Sequence, residues 1–273
     1  MVVYAQQRQI SHRGIEFPVS YFIRPGSRGT VLYIHGVGAS KRDFLGSANQ
    51  DDLRNYTVAA FDLPGCGQTP YLADRGWRVE DLVEITDQVV SVLGLGSLVI
   101  TGHSLGGLVG LLYAREYPAK VKGIVNIEGN LGPEDCFLTR EVARLSFSDF
   151  LSTGHLWQLK VKFANAPHQG TRTWAEALGS QGTPRAFYDY AVSIVDWSDS
   201  WDLLGMFEGL PIPKAFVYGS ANNNLSYLAR LRKGDASVIE VPDSGHWPHL
   251  DNPQYFYRAL LLFLKTAVHC EAD

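Results

Sequence analysis

Short apolar runs of strand length alternate with segments of helical periodicity along this chain, and that alternation constrains the fold more than any other feature. The runs occupy residues 30–34, 56–61, 98–101, 121–127, 215–218 and 238–241. They are apolar throughout rather than on alternate residues, as strands buried on both faces are. Between them, Val79, Leu82, Val83, Ile85, Val89, Val90 and Leu93 recur at three- and four-residue spacing, as do Leu108, Leu111, Leu112 and Ala114. Near the end, Asn252-Pro253 reads as an N-cap with proline at the first helical position, opening a helix through Phe256, Leu260, Phe263 and Leu264. The expected architecture is α/β: a mostly parallel sheet with helices on both faces. Two further runs, 2–10 and 14–23, flank Ser11-His12-Arg13 and predict an antiparallel pair in front of it.

One stretch breaks the alternation. Residues 131–210 contain no strand-like run but hold Trp157, Trp174, Trp197 and Trp201, and they end at Leu210-Pro211-Ile212-Pro213, where two prolines stop a helix. This predicts a mostly helical insertion, 131–210, within a body formed by 1–130 and 211–273. A chain of 273 residues has room for both.

Composition excludes several partners. The net charge is −4, and no run of lysine and arginine offers a surface for phosphates, so nucleic acid is not expected. Cys66, Cys136 and Cys270 are odd in number and lack CxxC spacing, which supports neither a disulfide framework nor a zinc site. With no H-E-x-x-H or similar spacing, neither metal nor cofactor is expected. The start of the chain lacks a signal-peptide pattern, and no apolar stretch reaches the roughly 18 residues that span a membrane. The expectation is a cytoplasmic monomer or homodimer acting on a small molecule.

The chemistry centres on Gly102-His103-Ser104-Leu105-Gly106. A short motif means little alone, but this one directly follows the 98–101 run and precedes the helix from Leu108. That is the strand-turn-helix setting in which a nucleophilic serine is presented. Its hydroxyl needs a base, and His246 in Ser244-Gly245-His246 lies between the last strand and the last helix, at the same sheet edge. His249 is its nearest rival; His35 and His103 sit in glycine-bearing turns and read as packing or hydrogen-bonding groups. In His35-Gly36-Val37-Gly38, which follows the first parallel strand, the Val37 N–H is expected to join the Leu105 N–H in holding a developing oxyanion.

These residues resemble the α/β-hydrolase superfamily of serine hydrolases. The resemblance rests on His35-Gly36-Val37-Gly38, Asp62-Leu63-Pro64-Gly65-Cys66-Gly67, Gly102-His103-Ser104-Leu105-Gly106-Gly107 and Ser244-Gly245-His246, in family order over nearly the whole chain. It implies that 131–210 is the helical cap and that Asp62 is structural. Serine at the nucleophile position sets the chain apart from haloalkane dehalogenases and epoxide hydrolases, which need an aspartate there. The family's usual triad acid follows the first strand after the cap, where this chain reads Gly219-Ser220-Ala221-Asn222-Asn223-Asn224 and carries no carboxylate. Glu128, at the end of the strand before the cap, resembles the acid position of haloalkane dehalogenases and certain lactonases. The alternatives are Asn222 to Asn224 orienting the histidine without a charge, or Glu134 or Asp135.

The activity implied is hydrolysis of an ester, lactone or thioester of a medium-sized apolar substrate through an acyl-enzyme. Ser104, His246 and Glu128 would form the triad, with Trp157, Trp197 and Trp201 of the cap at the substrate. A lactonase or carbon–carbon bond hydrolase could use the same residues. A slow-turnover ligand-binding receptor would keep the fold, and the missing carboxylate at Asn222 favours it.

Overall fold

The computed structural model describes residues 4–72 and 76–268; Val2, Val3 and Cys270 lie outside them. Eight strands form one sheet: β1 (Gln6–His12), β2 (Ile15–Arg24), β3 (Arg28–Ile34), β4 (Tyr56–Phe61), β5 (Leu98–His103), β6 (Val121–Ile127), β7 (Lys214–Gly219) and β8 (Ser237–Val241). Their order is β1-β2-β4-β3-β5-β6-β7-β8. The leading hairpin pairs antiparallel, β2 also runs antiparallel to β4, and every pairing from β4 to β8 is parallel.

The apolar strands sort their residues by the two-residue period of the pleat. Leu32, Ile34, Leu98, Ile100, Ile124, Phe216 and Tyr218 enter one buried cluster, under α1 (Val79–Val92) and α2 (Leu105–Glu116). Their neighbours Val31, Tyr33, Val99, Val125, Ile127, Ala215 and Val217 enter the other, which the C-terminal helix covers with Phe256, Leu260, Phe263 and Leu264. Helix α2 is buried continuously from Leu105 to Ala114, as a helix crossing the middle of a sheet must be.

Between β6 and β7 the described chain is helical: α3 (Thr139–Ala143), α4 (Phe147–Ser152), α5 (His155–Phe163), α6 (Gln169–Ala177), α7 (Pro184–Ser200) and α8 (Leu203–Glu208). Thr183 caps α7, its hydroxyl accepting from the Ala186 amide, and Pro184 takes the first helical position. The first cluster runs on into these helices through Phe150, Leu159, Trp174 and Phe187. After β7 come α9 (Leu228–Leu231), α10 (Pro248–Asp251) and α11 (Pro253–Val268). The Asn252 side chain caps α11 by accepting from the Tyr255 amide. No helix of the described residues is long and apolar enough to cross a membrane.

Parallel register decides what meets at the carboxyl edge. Ile34 is level with Gly102, His103 with Ile127, and Gly219 with Val241. The segments leaving β3, β5, β6, β7 and β8 therefore begin side by side, and they carry Val37, Ser104, Glu128, Asn222 and His246.

Candidate active site

Ser104 sits on the turn between β5 and α2 with φ 52° and ψ −118°, a left-handed conformation that costs a non-glycine residue about 1–3 kcal/mol. The surroundings enforce it. The Ser104 amide donates to Ile127 O at 2.9 Å, and its carbonyl accepts from the Gly107 amide at 2.8 Å. A Cβ on Gly102 would lie 2.0 Å from Gly106 O, and one on Gly106 would lie 2.0 Å from Ile34 O, so only glycines let the turn close this tightly.

Glu128, the first residue after β6, also has positive φ, at 45°. Its buried carboxylate is saturated with donors. Oε1 accepts from the Gly219 amide at 2.7 Å and from Asn222 Nδ2 at 2.9 Å; Oε2 accepts from Asn222 Nδ2 at 2.7 Å and from His246 Nδ1 at 2.7 Å. A carboxylate oxygen accepts here, so Nδ1–H of His246 donates, and in the neutral imidazole this tautomer leaves the lone pair on Nε2. Ser104 and His246 line one cavity. Asn222 thus touches the carboxylate rather than the imidazole. Glu134 accepts from Ser226, and Asp135 from the Leu131 and Gly132 amides and the Tyr227 hydroxyl; neither reaches His246.

The loop after β3 packs on the nucleophile: a Cβ on Gly36 would lie 3.1 Å from Ser104 Cβ. His35 braces that loop, Nδ1–H donating to Gly36 O at 2.8 Å and Nε2 accepting from the Leu63 amide at 3.0 Å. Asp62 braces it further, accepting from the Lys41 amide, the Lys41 ammonium and the Gln68 amide. Among the described residues neither the Val37 nor the Leu105 N–H has an acceptor, and Leu105 opens α2, where an intrahelical one is lacking.

Two further histidines pack behind the site. His103 Nε2–H donates to His246 O at 2.9 Å, so this residue of the serine turn holds the backbone of the other histidine. Burial, and then the neighbouring His246 and His249, push His103 well below the ordinary imidazole value. His249 is also buried, stacked on Phe44 at 4.8 Å with neither ring nitrogen hydrogen-bonded, and burial lowers it from 6.5 to about 3. The unfolded chain therefore binds a proton there that the folded chain refuses between pH 6.5 and about 3. Stability from this group is complete above pH 6.5 and is lost as pH falls through that window, at up to about 1.4 kcal/mol per unit. Replacing His249 by phenylalanine is expected to remove that slope. Urea unfolding of both proteins from pH 7 to 4 checks it, and parallel stability curves would count against it.

The cavity over Ser104 has a volume of about 210 Å³. Val37, Phe137, Leu138, Phe163, Trp174 and Trp247 give it apolar walls, and among the described residues no arginine or lysine lines it. The three tryptophans expected at the substrate lie elsewhere. Trp157 is 68% exposed on α5, and Trp197 stacks on Trp201 at 5.3 Å beside a groove shared with Glu80, Glu84, Arg115 and Glu116. Trp174 takes the place given to them. Its signal was present in the sequence: His168, Thr171 and Trp174 recur every three residues, which puts all three cavity-lining side chains on one side of α6 and its cap. Among the described residues no group of three or more His, Cys, Asp or Glu side chains is placed to hold a metal.

Comparison with known proteins agrees with this fold. A family model described as the alpha/beta hydrolase fold matches residues 29–253. The (E)-2-((N-methylformamido)methylene)succinate hydrolase of Acinetobacter baylyi is 22% identical over 90% of this chain and 94% of its own. Among solved structures, a thermophilic esterase from Thermogutta terrifontis superposes with a TM-score of 0.75 at 21% identity, covering 96% of this chain and 99% of the esterase. The N-acyl homoserine lactonase AidH superposes with a TM-score of 0.76 at 19% identity over the whole of both chains. With the family model spanning most of its length and the sheet, the serine turn and the histidine loop in the family's order, this chain belongs to the α/β-hydrolase family.

Proposed function

We propose that the protein is a serine hydrolase that cleaves an ester-like bond (ester, lactone or thioester) of a neutral, medium-sized apolar substrate. Residues 131–210 would act as the cap and 1–130 with 211–273 as the catalytic body. The observation that carries this reading is the contact of the Glu128 carboxylate with His246 Nδ1 at 2.7 Å, at the edge of the cavity holding Ser104. It leaves His246 Nε2 as a base, and in this mechanism Ser104 Oγ gives Nε2 its proton as it attacks the substrate carbonyl. The Val37 and Leu105 amides receive the oxyanion, His246 returns the proton to the leaving oxygen or sulfur, and water releases the acyl group by the same steps. The receptor reading drew on the missing carboxylate at Asn222; with Glu128 beside His246 that support is gone.

The cavity argues for the substrate class. A cavity of about 150 Å³ with apolar walls already takes a benzene ring, so about 210 Å³ suits an acyl group of about four to eight carbons. Among the described residues no arginine or lysine lines the cavity to meet the carboxylates of a succinate, the substrate in the name of the Acinetobacter relative. A fluorophosphonate probe is expected to label Ser104, and kcat/KM on p-nitrophenyl esters to peak at intermediate chain length. Failure of the probe to label Ser104 would sink the proposal.

A further inference from the structure

Helix α6 grips the site from two directions. At its first turn the Gly170 amide donates to Asp251 Oδ1 at 2.6 Å, and the other oxygen of the same carboxylate accepts from the Gly245 amide at 2.9 Å. Gly245 directly precedes His246. No space separates the helix from the histidine loop: a Cβ on Gly170 would lie 2.3 Å from Trp247 Cβ, and one on Gly245 would lie 2.8 Å from His168 Cδ2. Four residues beyond Gly170, buried Trp174 donates its indole N–H to Val37 O at 2.9 Å, and its ring lies 5.3 Å from that of Trp247. One nine-residue helix is therefore tied through Asp251 to the loop of the general base and bonded directly to the loop of the oxyanion donor.

We infer that α6 is a strut that sets the relative position of these two loops, with Asp251 the positioning residue for His246 and Trp174 the positioning residue for Val37. The inference rests on the serine-hydrolase reading above. The residue types fit the task. A carboxylate can accept one N–H on each oxygen, whereas an asparagine offers one acceptor and one NH₂, which faces a backbone N–H donor to donor. A negative charge at the start of α6 also meets the positive end of the helix dipole. Trp174 supplies its donor from a rigid ring buried against Trp247, so the Val37 carbonyl is held by packing as well as by the hydrogen bond. Misplacing a catalytic group by about 1 Å costs about 100-fold in rate, and that scale sets the expected effect.

The test uses the full chain as wild type, Asp251→Asn, Trp174→Phe and the double variant. Active sites are titrated with a fluorophosphonate, so that rates refer to folded, labelled molecules. A wild type that does not label overturns the serine-hydrolase reading itself, a result separate from every outcome below. Asp251→Asn is expected to lower kcat on the best p-nitrophenyl ester about 10- to 100-fold with KM within about threefold, and Trp174→Phe to lower kcat about tenfold. Because the helix acts as one body, the double variant should lose no more than about threefold beyond Asp251→Asn. A merely structural Asp251 would lower the melting temperature while kcat per titrated site stayed within twofold of wild type. That result overturns the inference, as does a double-variant loss equal to the product of the single losses. Should Asp251→Asn not fold, Trp174→Phe decides alone, and an unchanged kcat per titrated site overturns the inference.

Discussion

Replacing Ser104 by alanine is expected to lower turnover by about 10⁴-fold or more. In the proposed mechanism the variant loses the nucleophile, and the covalent route is lost with it. What remains is binding in the cavity and the two amide donors, which act on a carbonyl attacked by water alone. The fold should survive, because the backbone hydrogen bonds to Ile127 O and from Gly107 and Leu108 do not involve the hydroxyl. Alanine keeps the Cβ that makes φ 52° costly, so the melting temperature should stay close to that of the wild type. Turnover and thermal unfolding measured on the same preparation check both halves. Retention of more than about one per cent of wild-type turnover would remove Ser104 from the mechanism.

Glu128→Gln is expected to lower turnover by about 10² to 10⁴, because the amide cannot stabilise the imidazolium with a full charge and can present its NH₂ to a donor. The saturation of this carboxylate raises the effect. All four of its hydrogen bonds come from donors, so wherever the glutamine NH₂ points it meets an N–H. Asn222→Ala removes one donor group, which makes two of those hydrogen bonds, but leaves the charge and the His246 contact. Its loss should be about tenfold, the size of one charge-assisted hydrogen bond. The ratio between the two variants is the measurement: a larger loss at Asn222 than at Glu128 would move the acid's role to the asparagine turn.

Most of the sheet was legible because buried parallel strands write themselves as apolar runs. The runs at 56–61 and 121–127 match β4 and β6 to the residue, and the others differ from their strands by a few residues at most. The serine turn, the histidine loop and the glycine-bearing loop after β3 were legible too, since each follows a strand directly and inherits its position from sheet register. The acid was harder. Position alone allowed Glu128, the Asn222 turn, Glu134 or Asp135, and only the side-chain hydrogen bonds put Glu128 on His246 with Asn222 behind it. The tryptophans of the insertion could not be sorted by residue type. Trp157, Trp174, Trp197 and Trp201 look alike in sequence, whereas their places follow from how short helices pack, which no local period encodes. Asp251 went unnoticed for a related reason: its partners lie 81 and 6 residues away, on a helix and a loop that meet only in three dimensions.

The level strand ends described for the parallel sheet have one more consequence. Val37, Ser104, Glu128, Asn222 and His246 arrive from five separate passes of the chain, and neighbouring strands in the sheet bring them together with no direct covalent link between them. No hairpin or helix pair among the described residues contains more than one of the five. On the proposed mechanism, competence therefore belongs to the finished sheet as a whole, and a chain that has built every helix but left β7 and β8 undocked would hold Ser104 in place with nothing to activate it.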